Sequence, residues 1–305
     1  MNRIRLQAYG KINLSLDVLR QRPNGYHDVR MIMQTVKLHD NIDMERTDTP
    51  GIVLKTNLPF LPVNENNLMY RAAKMLMDEF SIEGGVKMHL RKVIPVAAGM
   101  AGGSADAAAV LYGMNRLFDL RLSIEDLKKR GVQLGADIPF CLMRGTALSE
   151  GIGEILTPLP ALPACSIVLA KPAISVSTKA VYENLHVNTL PAEAHPDVDQ
   201  VIEALKARDV RAVAGRMGNI LETVTSRQHP EIDAIKERMM ALGALNAMMS
   251  GSGPTVFGLF DDSEKAQACY QALLSAKESG LAKQVYLTEP WLQPSRTSPS
   301  RPARL

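Results

Sequence analysis

Pro95-Val-Ala-Ala-Gly99-Met-Ala-Gly102-Gly103-Ser104-Ala-Asp106-Ala-Ala-Ala109 follows an apolar segment and runs straight into an alanine-rich helical pattern. Nearly every residue in it is small, so backbone N–H groups can approach a ligand with no side chain in the way. The helix behind it, with Ser104 as the expected N-cap, turns the positive end of its dipole toward the loop. Such a loop is an anion site whose usual occupant is phosphate. A tight turn that lets a helix pack closely is the plainer use of the same glycines.

Two other phosphate loops do not fit. A dinucleotide fingerprint counted from Gly99 needs glycines where Ala101 and Ser104 stand. The Gly10-Lys11 pair is followed by Ile12 and lacks the upstream glycine of a Walker loop.

A chain of 305 residues, 46% hydrophobic, can bury a substantial core in one large or two ordinary domains. Aromatics make up only 5% while methionine numbers 16, so aliphatic and Met packing must fill the interior. No run is long enough to span a membrane, and the first residues lack the apolar stretch of a secretory signal. Cys141, Cys165 and Cys269 are odd in number and far apart, which predicts free thiols in a reducing compartment. A cytoplasmic location follows as an expectation. The net charge of +3 is confined to the end of the chain. Residues 293–305 hold three of the 35 basic residues and no acid, leaving 32 basic against 32 acidic elsewhere. The body is neutral, so no nucleic-acid partner is expected, and the Arg-, Pro- and Ser-rich tail reads as a disordered solvated extension.

Along the chain, Ile12, Leu14, Leu16 and Val18 alternate with polar residues as a strand does, and 31–38 and 86–93 read similarly. Helical faces run over 67–80 and 107–118, and Ser123-Ile-Glu-Asp126 is a capping box for a helix ending at Gly135. The proline-rich 157–163 is the expected domain boundary. Beyond it come a strand at 166–170 and helices over 198–205, 210–224 and 231–242. A hairpin follows around Ser250-Gly-Ser-Gly-Pro254, then a helix from Ser263 and a strand near 285–287. Strands and helices mix without strict alternation, so the fold class is α+β.

Three polar groups stand out. Lys11 and Asn13, two apart on a strand, point to one face, and a Lys there needs either a partner or water. Asp137, after the helix-ending Gly135 and before a strand-like apolar run broken by Pro139, is either a turn former or a proton acceptor for an attacking hydroxyl. Asn24-Gly25 predicts a hairpin tip with Tyr26 and His27 leaving it, placed to stack on a planar base or simply on the hairpin.

Together these pieces resemble the GHMP kinase superfamily from Ala8 to about Leu287. The resemblance rests on Ala8-Tyr-Gly-Lys11-Ile-Asn13-Leu, Arg22-Pro-Asn-Gly-Tyr26-His27, Ile94 to Ser104, Gly135-Ala-Asp137-Ile-Pro-Phe and Ser250-Gly-Ser-Gly-Pro-Thr-Val-Phe. It implies a two-domain α+β fold with the active site in the cleft between domains: an ATP-binding domain over 1–160, a second domain over 161–290 and a tail over 291–305. ATP would lay its phosphates along Pro95, Val96, Ala97, Ala98, Gly99, Met100, Ala101, Gly102, Gly103, Ser104 and Ala105, with Mg²⁺ accompanying it and Ser104 a candidate metal ligand. Asp137 would be the base and Lys11 its electrostatic partner, Asn13 would orient the substrate or the Asp, and Tyr26, His27 and Tyr182 would read a cytosine. The acceptor implied is the C2 hydroxyl of a methylated tetritol carrying cytidine diphosphate, in the non-mevalonate route to isoprenoid precursors. The rival readings are a superfamily member acting on homoserine or a mevalonate derivative, and a nucleotide-binding module without catalysis.

Overall fold

The computed structural model describes residues 1–275 and 280–292. The first half comprises β1 (Arg3–Gln21), β2 (His27–Thr47), β3 (Gly51–Thr56), α1 (Leu68–Glu79), β4 (Gly85–Arg91), α2 (Gly102–Leu117), α3 (Ile124–Leu134), α4 (Ile138–Met143), β5 (Thr146–Glu150) and β6 (Ile155–Pro158). The second half has β7 (Ser166–Lys171), α5 (Thr178–Glu183), α6 (Val198–Lys206), α7 (Val210–Arg216), β8 (Gly218–Asn219), α8 (Glu222–Gln228), α9 (Glu231–Ala241), β9 (Asn246–Met249), β10 (Val256–Phe260), α10 (Ser263–Ser275) and β11 (Gln284–Thr288).

Gly25, at φ +84°, closes the turn that folds β1 back on β2. The first sheet runs β3-β4-β2-β1-β8, with β5 and β6 added where β2 parts from β4. The second sheet is antiparallel, in the order β11-β7-β10-β9. Helices α1 to α4 cover one face of the first sheet. Met69, Ala72 and Leu76 of α1 and Ala107, Leu111 and Met114 of α2 meet Leu6, Ile42, Met44 and Met88 there. The other two cores join the halves: Ile12 and Leu14 share one with Leu169 and Phe257, and Leu16 and Val18 share another with Val168 and Ala170.

That shared packing changes the reading of β1. The alternation at Ile12 to Val18 predicts a half-wet strand, yet every residue from Gly10 to Val18 is buried. Two of the polar side chains are partnered, Lys11 with Asn13 and Asp17 with the His195 ring at 2.8 Å, while the buried Ser15 hydroxyl has no partner among the described residues.

Several expectations need correction. The run 210–224 is two helices, because Gly218–Asn219 pairs in parallel with Ser15–Leu16 of β1. Nothing in the local pattern signals so short a bridge. The apolar run after Asp137 is helix, not strand: Pro139 sits in the first turn of α4, where its missing N–H costs nothing. The segment 157–163, the expected boundary, is itself structured: β6 stays paired to β5 and Leu162 is buried in a core shared by both halves. Trp291 does not belong to a loose tail. Its N–H donates to the Thr35 carbonyl at 2.8 Å, and its ring lies 5.9 Å from that of Tyr9. The expected disorder of 293–305 falls outside the described residues. The capping box stands: the Ser123 hydroxyl accepts the Asp126 N–H at 3.1 Å, and the Asp126 carboxylate accepts the Ser123 N–H at 3.2 Å. All three cysteines are free. No helix among the described residues is long and apolar enough to cross a membrane.

Candidate active site

A cavity of about 1050 Å³ opens between the two halves. The small-residue loop forms one wall. Ala97, Gly99 and Ala101 have φ of +50°, +71° and +53°, alternating with residues of negative φ. This alternation gathers successive N–H groups into a concave nest. The hydrogen bonding agrees with that reading. The carbonyls of Gly99, Met100 and Ala101 accept from the Ser250 hydroxyl, the Lys11 N–H and the Ala105 N–H at 3.0, 3.1 and 2.8 Å. Among the described residues, no amide from Ala97 to Ser104 donates to a protein acceptor. Carbonyls are thus spent on the scaffold, and amides are left for a ligand.

Helix α2 starts at Gly102, after the left-handed Ala101, with no side-chain cap. Ser104 is therefore not the N-cap. Two glycines can begin a helix unaided once the preceding residue turns the chain, and the first-turn amides stay open for an anion. The loop residues divide by direction. Pro95 to Gly99 and Ala101 to Ser104 line the cavity, while Met100 and Ala105 are buried in the cores behind it.

Lys11 reaches the cavity because β1 breaks register between Tyr9 and Lys11, and the Lys11 amide leaves the ladder for the Met100 carbonyl. Its ammonium donates to Asn13 Oδ1 at 2.6 Å. Asn13 is wholly buried and does not line the cavity; it holds Lys11 from behind and donates weakly to Met31 Sδ at 3.2 Å. Asp137 stands half-buried at the start of α4, lining the same cavity. It forms no direct ion pair with Lys11. Both charges nevertheless act on Cys141, one turn further along α4. Burial first, then Asp137, pushes its thiol pKa up, and Lys11 pulls the other way.

At the far end, the His27 and Tyr182 rings meet with centroids 5.1 Å apart at 45°. Burial lowers the His27 imidazole below its ordinary 6.5, which keeps it neutral. Burial and then the Asp137 charge raise the Tyr182 phenol, which stays protonated. Tyr26 is 59% exposed at the cavity mouth. The second half supplies the floor through Gly251 and Ser252. Asn219 fixes that loop by donating to the carbonyls of Met249 and Gly251 at 2.9 and 2.8 Å. The two loops touch so closely that a Cβ on Gly99 would lie 1.9 Å from the Ser250 carbonyl oxygen.

Sequence reasoning missed Asn219, and it missed a buried charge cluster against the loop. Lys92 donates to Asp40 and, at 2.8 Å, to Asp106. Burial works to lower the Lys92 pKa, and the charges of Asp106 and Asp40 outweigh it. Burial raises that of Asp106. These residues come from three elements with no local spacing to mark them.

A nest of free amides, a buried Lys and a carboxylate in one interdomain cleft, on this pair of sheets, define a GHMP kinase. The family pattern described as GHMP kinases N terminal domain matches residues 67–145, and that described as GHMP kinases C terminal matches 184–279. A 4-diphosphocytidyl-2-C-methyl-D-erythritol kinase of Lachnospira eligens is 57% identical over 95% of this chain and 99% of its own. One from Lachnoclostridium phytofermentans is 55% identical over 94% and 97%. A crystal structure of 4-(cytidine 5'-diphospho)-2C-methyl-D-erythritol kinase superposes with TM-score 0.78 at 31% identity, covering 94% of this chain and 99% of that one. A homoserine kinase from Cytophaga hutchinsonii shares the fold at TM-score 0.77 and 22% identity, over 94% and 95%. The chain belongs to the 4-diphosphocytidyl-2-C-methyl-D-erythritol kinase family.

Proposed function

We propose that the chain moves the γ-phosphoryl group of ATP to the C2 hydroxyl of 4-diphosphocytidyl-2-C-methyl-D-erythritol, with Asp137 as base and Lys11 as electrostatic partner. The observation that carries this reading is one cavity holding the amide nest, Lys11 and Asp137, and the His27–Tyr182 ring pair. The nest and the first turn of α2 take the ATP phosphates. The ring pair and Tyr26 take the cytosine, a neutral imidazole being free to hydrogen-bond the base edge. Asp137 accepts the proton of the C2 hydroxyl as its oxygen bonds to the γ-phosphorus and the bond to the ADP oxygen breaks. Lys11, held by Asn13, offsets the charge that builds on the transferring group.

Mg²⁺ belongs to this reading as an ion that would arrive with ATP and offset the charge of its phosphates. The residues fit a metal that arrives on the nucleotide. Among the described residues no three His, Cys, Asp or Glu gather to hold one, while the Ser104 hydroxyl offers a hard oxygen ligand at the loop and would hold it. Neither nucleic acid nor membrane enters the reading, and a cytoplasmic enzyme suits three free thiols.

The test is ADP release with the cytidyl substrate, methylerythritol lacking the cytidine diphosphate, and homoserine, for wild type and Asp137→Asn. Turnover on the cytidyl substrate alone, lost in the variant while ATP still binds, is the expected result. Turnover on homoserine instead would favour the other superfamily reading. ATP binding without turnover on any alcohol would leave a nucleotide-binding module.

A further inference from the structure

The loop that this reading assigns to ATP phosphates is anchored at both ends by one buried ion cluster. Asp40 projects from β2, Lys92 from the end of β4 and Asp106 from the second turn of α2, and all three are buried. Asp40 Oδ1 accepts the Ile94 N–H at 2.8 Å and the Val93 N–H as well, fixing the chain just before the loop. Lys92 ties that carboxylate to Asp106, fixing the helix just after it. The ammonium lies hard against the first turn of α2, where a Cβ on Gly102 would be 2.7 Å from it.

Two carboxylates for one ammonium is a costly choice in a dry interior. Asp106 Oδ1 has no hydrogen-bond partner among the described residues. Packing alone does not call for charges here, since the neighbouring core is aliphatic. A nest works only if its amides converge on one point, and a displacement of about 1 Å can cost about a hundredfold in a positioned reaction. We infer that Asp40, Lys92 and Asp106 are positioning residues: they clamp the two ends of the 95–101 loop and so set the enzyme's affinity for the triphosphate of ATP. Lys92 and Asp106 also line the cavity, whereas Asp40 does not, so a variant of Asp40 reports the clamp without touching the nucleotide's space.

The inference rests on the phosphate-loop reading above, and the experiment separates the two. Asp106→Ala cuts the tie to α2, leaves Lys92 paired with Asp40 and is expected to raise the KM for ATP about tenfold. The KM for the cytidyl alcohol stays within about twofold, since the residues assigned to it, His27 and Tyr182, make no hydrogen bond or ion pair with the cluster. Asp106→Asn keeps an acceptor for the ammonium and restores most of the ATP affinity. Asp40→Asn, at a residue outside the cavity lining, is expected to raise the KM for ATP in the same way. An unchanged KM for ATP in Asp106→Ala overturns the inference, as does a rise in Asp106→Ala that is absent from Asp40→Asn, or an equal rise in both KM values with a collapsed Tm. Should Asp106→Ala fail to fold, Gly102→Ala presses the ammonium from the far side with all charges kept, and the same split is expected. Gly103→Asp is the control, because its Cβ would meet only Leu68, at 3.7 Å, while its charge would face the cavity. ATP affinity lost there but kept in Asp106→Ala leaves the loop reading intact and removes the clamp. ATP affinity kept in Gly103→Asp removes the loop reading itself.

Discussion

Asp137 and Lys11 line the same cavity, and each has a distinct kinetic signature. Asp137→Asn is expected to lower kcat by about 10² to 10⁴ while the Kd for ATP is unchanged, as rapid-quench and equilibrium binding would report. Asn13→Ala frees the Lys11 ammonium without removing it, so kcat falls less, by about tenfold, and the KM for the cytidyl alcohol barely moves. A larger effect on that KM would place Asn13 in contact with substrate. His27 carries the pH prediction. Its folded pKa lies below 6.5, so between the two values the unfolded chain binds a proton that the folded chain does not. Stability contributed at this site is therefore intact above pH 6.5 and declines as pH falls below it. His27→Asn flattens that part of a Tm profile taken between pH 7.5 and 5, about 6.5 being the ordinary histidine value. At this scale much was legible: two residues apart on a strand placed Lys11 and Asn13 together, and Asn24-Gly25 placed Tyr26 and His27. Whether those side chains are dry was not, because dryness depends on the second sheet.

Elements show where local rules hold and where they yield. Helix α3 follows its capping box at both positions, and Ser123→Ala should cost about 1 kcal/mol in urea unfolding with no change in kinetics. Helix α2 has no such box. Its start is set by left-handed Ala101 and by the contacts of Gly99 with the Ser250 loop, so the first hydroxyl, Ser104, places the cap three residues late. Gly99→Ala adds a methyl where the Ser250 carbonyl already stands, at φ +71°. Both loops must shift, and a loss of stability of about 1–3 kcal/mol is expected together with a raised KM for ATP. A variant with wild-type Tm and KM would show that the loops move apart freely.

The whole molecule is held by contacts that no stretch of sequence announces. Asn219 lies on the two-residue strand that the second half lends to the first sheet, and its side chain holds the Ser250 loop against Gly99. The last described residues close the other side. Trp291 and Tyr9 stack on the buried Arg144 guanidinium at 5.6 and 4.7 Å, and Arg144 is half-satisfied by the Gln7 carbonyl. Burial lowers the Arg144 pKa. Trp291→Ala removes one of these rings, and a loss of about 1–2 kcal/mol is expected in chemical unfolding, with kcat unaffected. A drop in kcat matched to the loss of stability would mean that this clasp also shapes the cleft.

The strand periods, the capping box, the small-residue loop and the turn dipeptides depend on neighbours within a few residues, and from them the α+β class could be read, while the kinase family came from the resemblance carried by the loop, the Asn24-Gly25 hairpin and the Asp137 segment. Only the tertiary structure decided that β1 is dry on both faces, that α2 begins at Gly102, that Asn13 stands behind Lys11, and that Asp40, Lys92 and Asp106 form one cluster. Those outcomes turn on burial and on charges brought together from separate elements. Burial is a property of what packs above a residue, which its own neighbours in the chain do not specify.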